Sequence, residues 1–369
     1  MIAVPHRLAF VLCLAAVLLV AGCQTYSSPL VFGPLQADSG KLDRGDLLGA
    51  GATFPSVLYQ AWFFDYHQLA PGVRTNYQSV GSGAGIQQFI DGTLDFGATD
   101  APMSDADLQR APRTQHLPTV LGAVAISYNL PGLQGRLRLD ADVTAGIFLG
   151  AIRSWDDPAI QRLNPQLALP AQAVSVIHRS DSSGTSYVFT DWLNKASAAW
   201  KPVGRGKSPN WPAGIGGPGN EGVARLLRQT PGAIGYVELT YIASLGLPAA
   251  DVLNGAGSFV APSIASVSAA AEGVELPADY RVSLTGSAQP GGYPVSSFTY
   301  LLINRDPKDC TKARILLHLL WWMYHDPAAA ERAAELVYAP LPAPVVTRVE
   351  QSLLAVTCDG KAVLQLAGS

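Results

Sequence analysis

His178-Arg179-Ser180-Asp181-Ser182-Ser183-Gly184-Thr185-Ser186 sits between the apolar run Val174-Ser175-Val176-Ile177 and the segment Tyr187-Val188-Phe189-Thr190-Asp191-Trp192-Leu193. The stretch reads as the end of a strand, a turn and the start of a helix. A helix that opens after a strand leaves its first N–H groups without intrahelical partners, and its dipole favours an anion there. Ser183 and Thr185 add hydroxyl donors, Gly184 permits close backbone approach, and Arg179 supplies a forked cation suited to an oxyanion. The stretch is an oxyanion cradle.

Working outward, the same device recurs twice upstream. Gly49-Ala50-Gly51-Ala52-Thr53-Phe54-Pro55 precedes a predicted helix to Leu69 with an apolar face at Val57, Leu58, Ala61, Trp62 and Phe63-Phe64. Phe54 stands where a dinucleotide fingerprint needs glycine, which leaves the Thr53 hydroxyl and the Phe54 N–H at a helix start. An ordinary N-cap is the alternative. Val73 to Val80 reads as a strand, and Gly81-Ser82-Gly83-Ala84-Gly85 then opens another helix with Ser82 at its head. After it, Leu94 to Thr99 reads as a short strand ending on Asp100, ahead of a helix capped by Ser104-Asp105-Ala106-Asp107. From its own window, Asp100 before Ala101-Pro102 reads first as a solvated turn residue.

The whole chain of 369 residues suits about two domains. Charged residues make up 14% of it and the formal net charge is −3, so no basic field invites nucleic acid. Near the N-terminus, His6-Arg7 precede an apolar run from Leu8 to Val20, of signal-peptide length and shorter than the roughly 20 residues of a spanning helix. Val20-Ala21-Gly22-Cys23 resembles the bacterial lipoprotein cleavage box, with residues 1–22 removed and Cys23 lipidated. An uncleaved anchor helix is the alternative. Residues 23–46 read as a tether.

Export sorts the cysteines. Cys310 and Cys358 remain as an even pair in an oxidising compartment, which predicts a disulfide closing a loop of about fifty residues, or otherwise two buried thiols. No His pair has metal-ligand spacing, so neither metal nor cofactor is expected. Gly206-Lys207-Ser208 resembles a P-loop tail, but Lys201 stands where glycine is required. Gly214-Ile215-Gly216-Gly217-Pro218-Gly219 spells G-x-G-x-x-G but follows Pro209-Asn210-Trp211-Pro212 instead of an evident strand. Arg314 to Tyr324 reads as a core helix, too short to span a bilayer.

Gly49 to Pro55 and Gly81 to Gly85, together with Asp95-Phe96-Gly97-Ala98-Thr99-Asp100-Ala101-Pro102 and Arg179 to Ser186, resemble in order the signatures of a known family. It is the substrate-binding lipoprotein of the bacterial high-affinity phosphate ABC importer. Trp155-Asp156-Asp157-Pro158, Leu163-Asn164-Pro165, Pro231 to Glu238 and Tyr293-Pro294-Val295-Ser296 extend the likeness over nearly all of the expected mature chain. The resemblance implies a two-lobed α/β periplasmic-binding-protein fold (type II-like) with the ligand between the lobes. It implies phosphate contacts from Thr53, Phe54, Ser82, Asp100, Arg179, Ser183, Gly184 and Thr185, with Asp181 orienting Arg179. Many relatives have glycine where Ser182 stands, and some have serine where Gly83 stands.

The apolar strands Thr119 to Tyr128 and Phe298 to Asn304 are expected to cross between lobes. Domain I is then 47–120 with 298–369, and domain II is 121–297. A non-enzymatic, monomeric protein is expected, with inorganic phosphate, the permease and a membrane as partners. A phosphate-ester hydrolase using Ser82 or Ser183 and a surface or sensory lipoprotein without transport stay open. Asp100 has a chemical role beside phosphate: it can accept a proton that phosphate keeps near neutral pH and sulfate lacks.

Overall fold

The computed structural model describes residues 44–365. The expected signal peptide, Cys23 and nearly all of the tether lie outside them. The chain begins with β1 (Gly45–Gly51), α1 (Ser56–Leu69), β2 (Val73–Ser79), α2 (Ser82–Ile90), β3 (Phe96–Thr99) and α3 (Asp105–Arg110). β1 therefore starts two residues before the expected edge of domain I. β1 pairs in parallel with β2 on one side and β3 on the other, the arrangement that βαβ crossovers impose. Each Gly-rich turn consequently lies at the carboxyl end of a strand and leads into a helix.

β4 (Thr114–Tyr128) is 15 residues long and buried from His116 to its end, with Leu121, Val124 and Ile126 fully buried. Each such side chain contributes about 1.5–3 kcal/mol by leaving water. The strand is long because it serves both halves of the sheet. The following elements are β5 (Arg138–Leu139), α4 (Ala141–Phe148), α5 (Pro158–Leu163), β6 (Ser175–Arg179) and α6 (Gly184–Ala196). Then come β7 (Ile215–Gly217), α7 (Gly219–Gln229), β8 (Ala233–Glu238), α8 (Leu239–Leu245), β9 (Asp251–Leu253), β10 (Phe259–Val260) and α9 (Ile264–Ala270). The chain returns through β11 (Ser296–Asn304) to α10 (Cys310–His325), α11 (Pro327–Glu335), α12 (Ala343–Leu354), β12 (Thr357–Cys358) and β13 (Lys361–Ala362).

Eight strands form one sheet in the order β2-β1-β3-β11-β4-β8-β6-β7. Residues Thr114 to Ala123 of β4 pair antiparallel with β11, and residues Val124 to Tyr128 pair antiparallel with β8. The partner switch at Ala123/Val124 divides the sheet into the halves of a two-lobed α/β fold. On the first half, α10 buries Ile315, Leu316, Leu319, Leu320 and Met323, as its apolar periodicity predicts. Trp62 of α1 donates its ring N–H to the carbonyl of Ala329 on α11 at 2.8 Å. Among the described residues no helix is long and apolar enough to cross a membrane.

Two features escape the linear reading. Gly214 to Gly219 contains a strand after all: β7 pairs in parallel with β6 at the sheet edge and hands over directly to α7. Residues 276–281 leave the second half and pack on the first. There Arg348 of α12 donates to the carbonyls of Leu276 at 2.6 Å and Pro277 at 2.9 Å, and Arg281 pairs with Asp105 at 2.7 Å. Cys310 and Cys358 form the expected disulfide.

Candidate functional site

The site assembles where the turns after β1 and β3 and the head of α2 meet the turn between β6 and α6. Arg179, last residue of β6, is buried. Its guanidinium is clamped by Asp181 in two hydrogen bonds, Nε to Oδ1 at 2.8 Å and Nη2 to Oδ2 at 2.5 Å. Asp181 Oδ1 also accepts the Gly219 N–H at 3.0 Å. Burial works to raise the Asp181 carboxyl. The Arg179 hydrogen bonds and charge, with the Gly219 N–H, outweigh it and hold the group below its ordinary value. Asp181 therefore remains an anion and fixes the guanidinium plane.

Several hydroxyls have their acceptor side occupied by the protein and keep a proton to donate. Thr185 Oγ1 accepts from Arg179 Nη1 and from Asn220 Nδ2, each at 3.1 Å. Thr53 Oγ1 accepts from Asn220 N at 3.1 Å and Nδ2 at 2.7 Å. Ser183 caps α6 by accepting the Ser186 N–H at 3.0 Å. All three are buried. The backbone N–H groups of Phe54, Ser82, Gly184 and Thr185 have no hydrogen-bond partner among the described residues. Buried unpaired donors are costly, and so many in one place suit an oxyanion.

Asp100 faces these donors. It is 2% exposed; its Oδ1 accepts from Thr299 Oγ1 at 2.8 Å, and its N–H reaches Ser82 Oγ at 3.3 Å. Its Oδ2 is buried without a hydrogen-bond partner among the described residues. Burial pushes the carboxyl up to about 7, against the Thr299 hydrogen bond, the Arg179 charge and the Ser82 hydrogen bond. The solvated-turn alternative for Asp100 therefore fails, because a residue of the other half closes over it. A Cβ on Gly184 would fall 2.3 Å from Ser82 Oγ and 2.5 Å from Asp100 Oδ2. Gly83 N donates to the Ser182 carbonyl at 2.9 Å, a second contact across the same seam. Gly81, at φ 90, makes the turn that lets α2 approach so closely.

The structure brings together Thr53, Phe54, Ser82, Asp100, Arg179, Asp181, Ser183, Gly184 and Thr185, the set to which the family resemblance points. Beside them it places residues that the sequence reading missed. Asn220 at the start of α7 bridges Thr53 and Thr185 with its amide, which is itself oriented by the Glu238 N–H donating to Oδ1 at 3.0 Å. Thr299 of β11 fixes the Asp100 carboxyl. Tyr241 donates to the Thr53 carbonyl at 2.5 Å, and Tyr338 donates to that of Phe54 at 2.6 Å. A cavity of about 900 Å³ lined by Asp100, Asp107, Lys207, Arg281 and Ser297, among others, adjoins the site and carries both signs of charge.

Known proteins share this architecture. The sequence model of the PBP superfamily domain matches residues 36–326. The chain is 37% identical over 352 residues to the phosphate-binding protein PstS of Xylella fastidiosa strain Temecula1, covering 92% of this chain and 95% of that protein. It is 41% identical over 308 residues to the phosphate-binding protein PstS of Haemophilus influenzae, covering 82% and 91%. Among solved structures, a high-affinity periplasmic phosphate-binding protein (PfluDING) bound with phosphate superposes with a TM-score of 0.71 at 25% identity, covering 86% and 96%. Matched over most of its length by both comparisons of sequence, the chain belongs to the PstS family of phosphate-binding proteins within the PBP superfamily.

Proposed function

We propose that the chain binds inorganic phosphate outside the cytoplasm and delivers it to an ABC permease, without chemistry on the ligand. The names of its relatives support phosphate as the ligand. The observation that carries the reading is Asp100 Oδ2, a buried acceptor without a partner among the described residues, set among otherwise donor groups. Only an oxyanion that retains a hydrogen satisfies both kinds of group at once. Inorganic phosphate does so above about pH 7, where the Asp100 carboxyl is ionised, because two ionisations still leave it one of its three protons, whereas sulfate brings acceptors alone.

In this reading Thr53, Ser82, Ser183 and Thr185 donate hydroxyl protons, and Phe54, Gly184 and Thr185 donate backbone N–H groups. Arg179, held by Asp181, supplies the one cation of the set. Charge on the ligand is then spread over fixed dipoles, as in sites preorganised for oxyanions. The lobes are assigned as residues 47–120 with 298–369 and residues 121–297, supported by the partner switch of β4 at Ala123/Val124. Closure about β4 and β11 traps the anion away from water. Lipidation at Cys23, a monomeric state and the membrane tether belong to the same proposal and rest on the N-terminal pattern and the family.

The hydrolase alternative gains nothing from the geometry. The Ser183 and Ser82 oxygens accept from the backbone N–H of Ser186 and Asp100, and among the described residues no histidine hydrogen-bonds to either. Calorimetric titration of the purified chain with phosphate tests the proposal. Saturable binding at one phosphate per chain is expected; no heat and no protection against thermal unfolding would overturn it.

A further inference from the structure

Beneath the Thr53–Phe54 turn lies a buried carboxyl outside the ligand set. β8 ends at Glu238, which pairs with Val124, the first residue of β4 beyond its switch from β11. Glu238 is fully buried, and its Oε1 has no partner among the described residues. Its Oε2 accepts the Thr240 N–H at 2.9 Å and lies 3.2 Å from the Tyr338 hydroxyl. A phenol carries one proton, and that of Tyr338 is directed to the Phe54 carbonyl at 2.6 Å. Toward Glu238 the Tyr338 oxygen can then only accept. This second hydrogen bond exists only while the carboxyl holds its proton.

Tyr338 is itself held in place. Val337, just before it, has φ 57, a conformation rare for a β-branched residue and maintained only where the surroundings over-determine it. Ala339 exchanges backbone hydrogen bonds with Leu121 of β4, at 3.0 and 2.9 Å, and Thr240 Oγ1 donates to the carbonyl of Leu336. The turn thus presents one phenol between Glu238 and Phe54. From the same end of β8, Tyr241 fixes the Thr53 carbonyl, which belongs to the same peptide as the Phe54 N–H.

We infer that Glu238 is a positioning residue for anion binding: as a neutral acid it donates to Tyr338, whose own proton fixes the Phe54 carbonyl and so orients the turn offering the Phe54 N–H. The carboxyl touches no ligand and acts through Tyr338. It places the anion turn of the first lobe under the control of a strand of the second, at the point where the sheet changes partners. Burial pushes Glu238 well above its ordinary value, and the nearby Asp100 charge acts in the same direction. The inference rests on the proposed phosphate site.

Infrared difference spectra of the wild-type chain against Glu238→Gln, at neutral pH, read the proton directly. A protonated-carboxyl band lost in Glu238→Gln and shifted in Tyr338→Phe is expected. Its absence from the wild-type spectrum would overturn the inference. Phosphate titrations read the positioning. Glu238→Ala should weaken binding about tenfold, the effect of about 1.4 kcal/mol. Alanine binding as tightly as wild type would also overturn it. Should Glu238→Ala fail to fold, Tyr338→Phe takes its place, with the same weakening expected and an unchanged affinity refuting the role. A wild-type chain that bound no phosphate would instead sink the functional reading, and the infrared band would still decide the proton.

Discussion

Replacing Asp100 by asparagine changes one atom of the site and should change its selectivity. Thr299 Oγ1 donates to Asp100 Oδ1 at 2.8 Å, so an asparagine keeps its oxygen there and turns its NH₂ to where the unpartnered Oδ2 now lies. An acceptor aimed at the ligand becomes a donor. Against sulfate, the native carboxylate leaves two facing acceptors unpaired, at about 1–3 kcal/mol each. Like charges a few ångströms apart add up to several kcal/mol at an effective dielectric near 20. The sum corresponds to the factor of about 10⁴–10⁵ by which sites built around a required hydrogen bond reject an analogue lacking it. Asp100→Asn removes the repulsion and supplies a donor, so the ratio of sulfate to phosphate dissociation constants should fall by about a hundredfold or more. Calorimetric titrations of both proteins with both anions at about pH 8, where phosphate carries a single proton, measure it. A ratio unchanged within about threefold would refute the reasoning.

The other predictions concern closure, pH and the disulfide. Gly184→Ala puts a methyl group against Ser82 Oγ and Asp100 Oδ2, so titrations should show phosphate binding weakened about ten- to a hundredfold, and denaturant unfolding without phosphate should show a loss of about 1–3 kcal/mol from overpacking. Asp100 is raised from 3.8 to about 7, so its proton stabilises the folded chain fully below 3.8, and that contribution fades as pH rises to about 7. Without phosphate, denaturant titrations should therefore show Asp100→Asn gaining on the order of 4 kcal/mol over wild type between about pH 4 and pH 8. A pH-independent difference would place the carboxyl in a solvated setting. The double substitution Cys310→Ala/Cys358→Ala opens a loop spanning 48 positions and should cost about 4 kcal/mol in the chain-entropy picture. An unfolding midpoint that did not move would show that the bond constrains nothing.

The parts of the site built from local chemistry are legible in the sequence. A glycine turn followed by Ser or Thr at a helix start describes itself within seven residues, which is why Thr53, Ser82, Ser183 and Thr185 stand out. Arg179 with Asp181, two positions apart on one turn, is equally local. The parts that hold these residues in register are not local. Asn220 reaches Thr53 across 167 positions, Thr299 reaches Asp100 across 199, and Tyr338 reaches Phe54 across 284. No window of sequence contains such pairs, and a Tyr or Thr in a strand reads first as packing. β7 is hidden for another reason: two glycines in three residues carry almost no strand propensity, and the parallel ladder with β6 supplies what the residues lack. The excursion of residues 276–281 onto the first half is likewise set by Arg348 and Asp105 from distant elements.

Competition between anions reaches the central claim most directly. Phosphate is titrated into the wild-type chain in a large excess of sulfate, at constant ionic strength and about pH 8, where the Asp100 carboxyl, raised to about 7, is ionised. The account predicts an isotherm that sulfate leaves in place, because Asp100 admits only a guest that brings its own hydrogen. A phosphate affinity that falls in proportion to the sulfate added would contradict it.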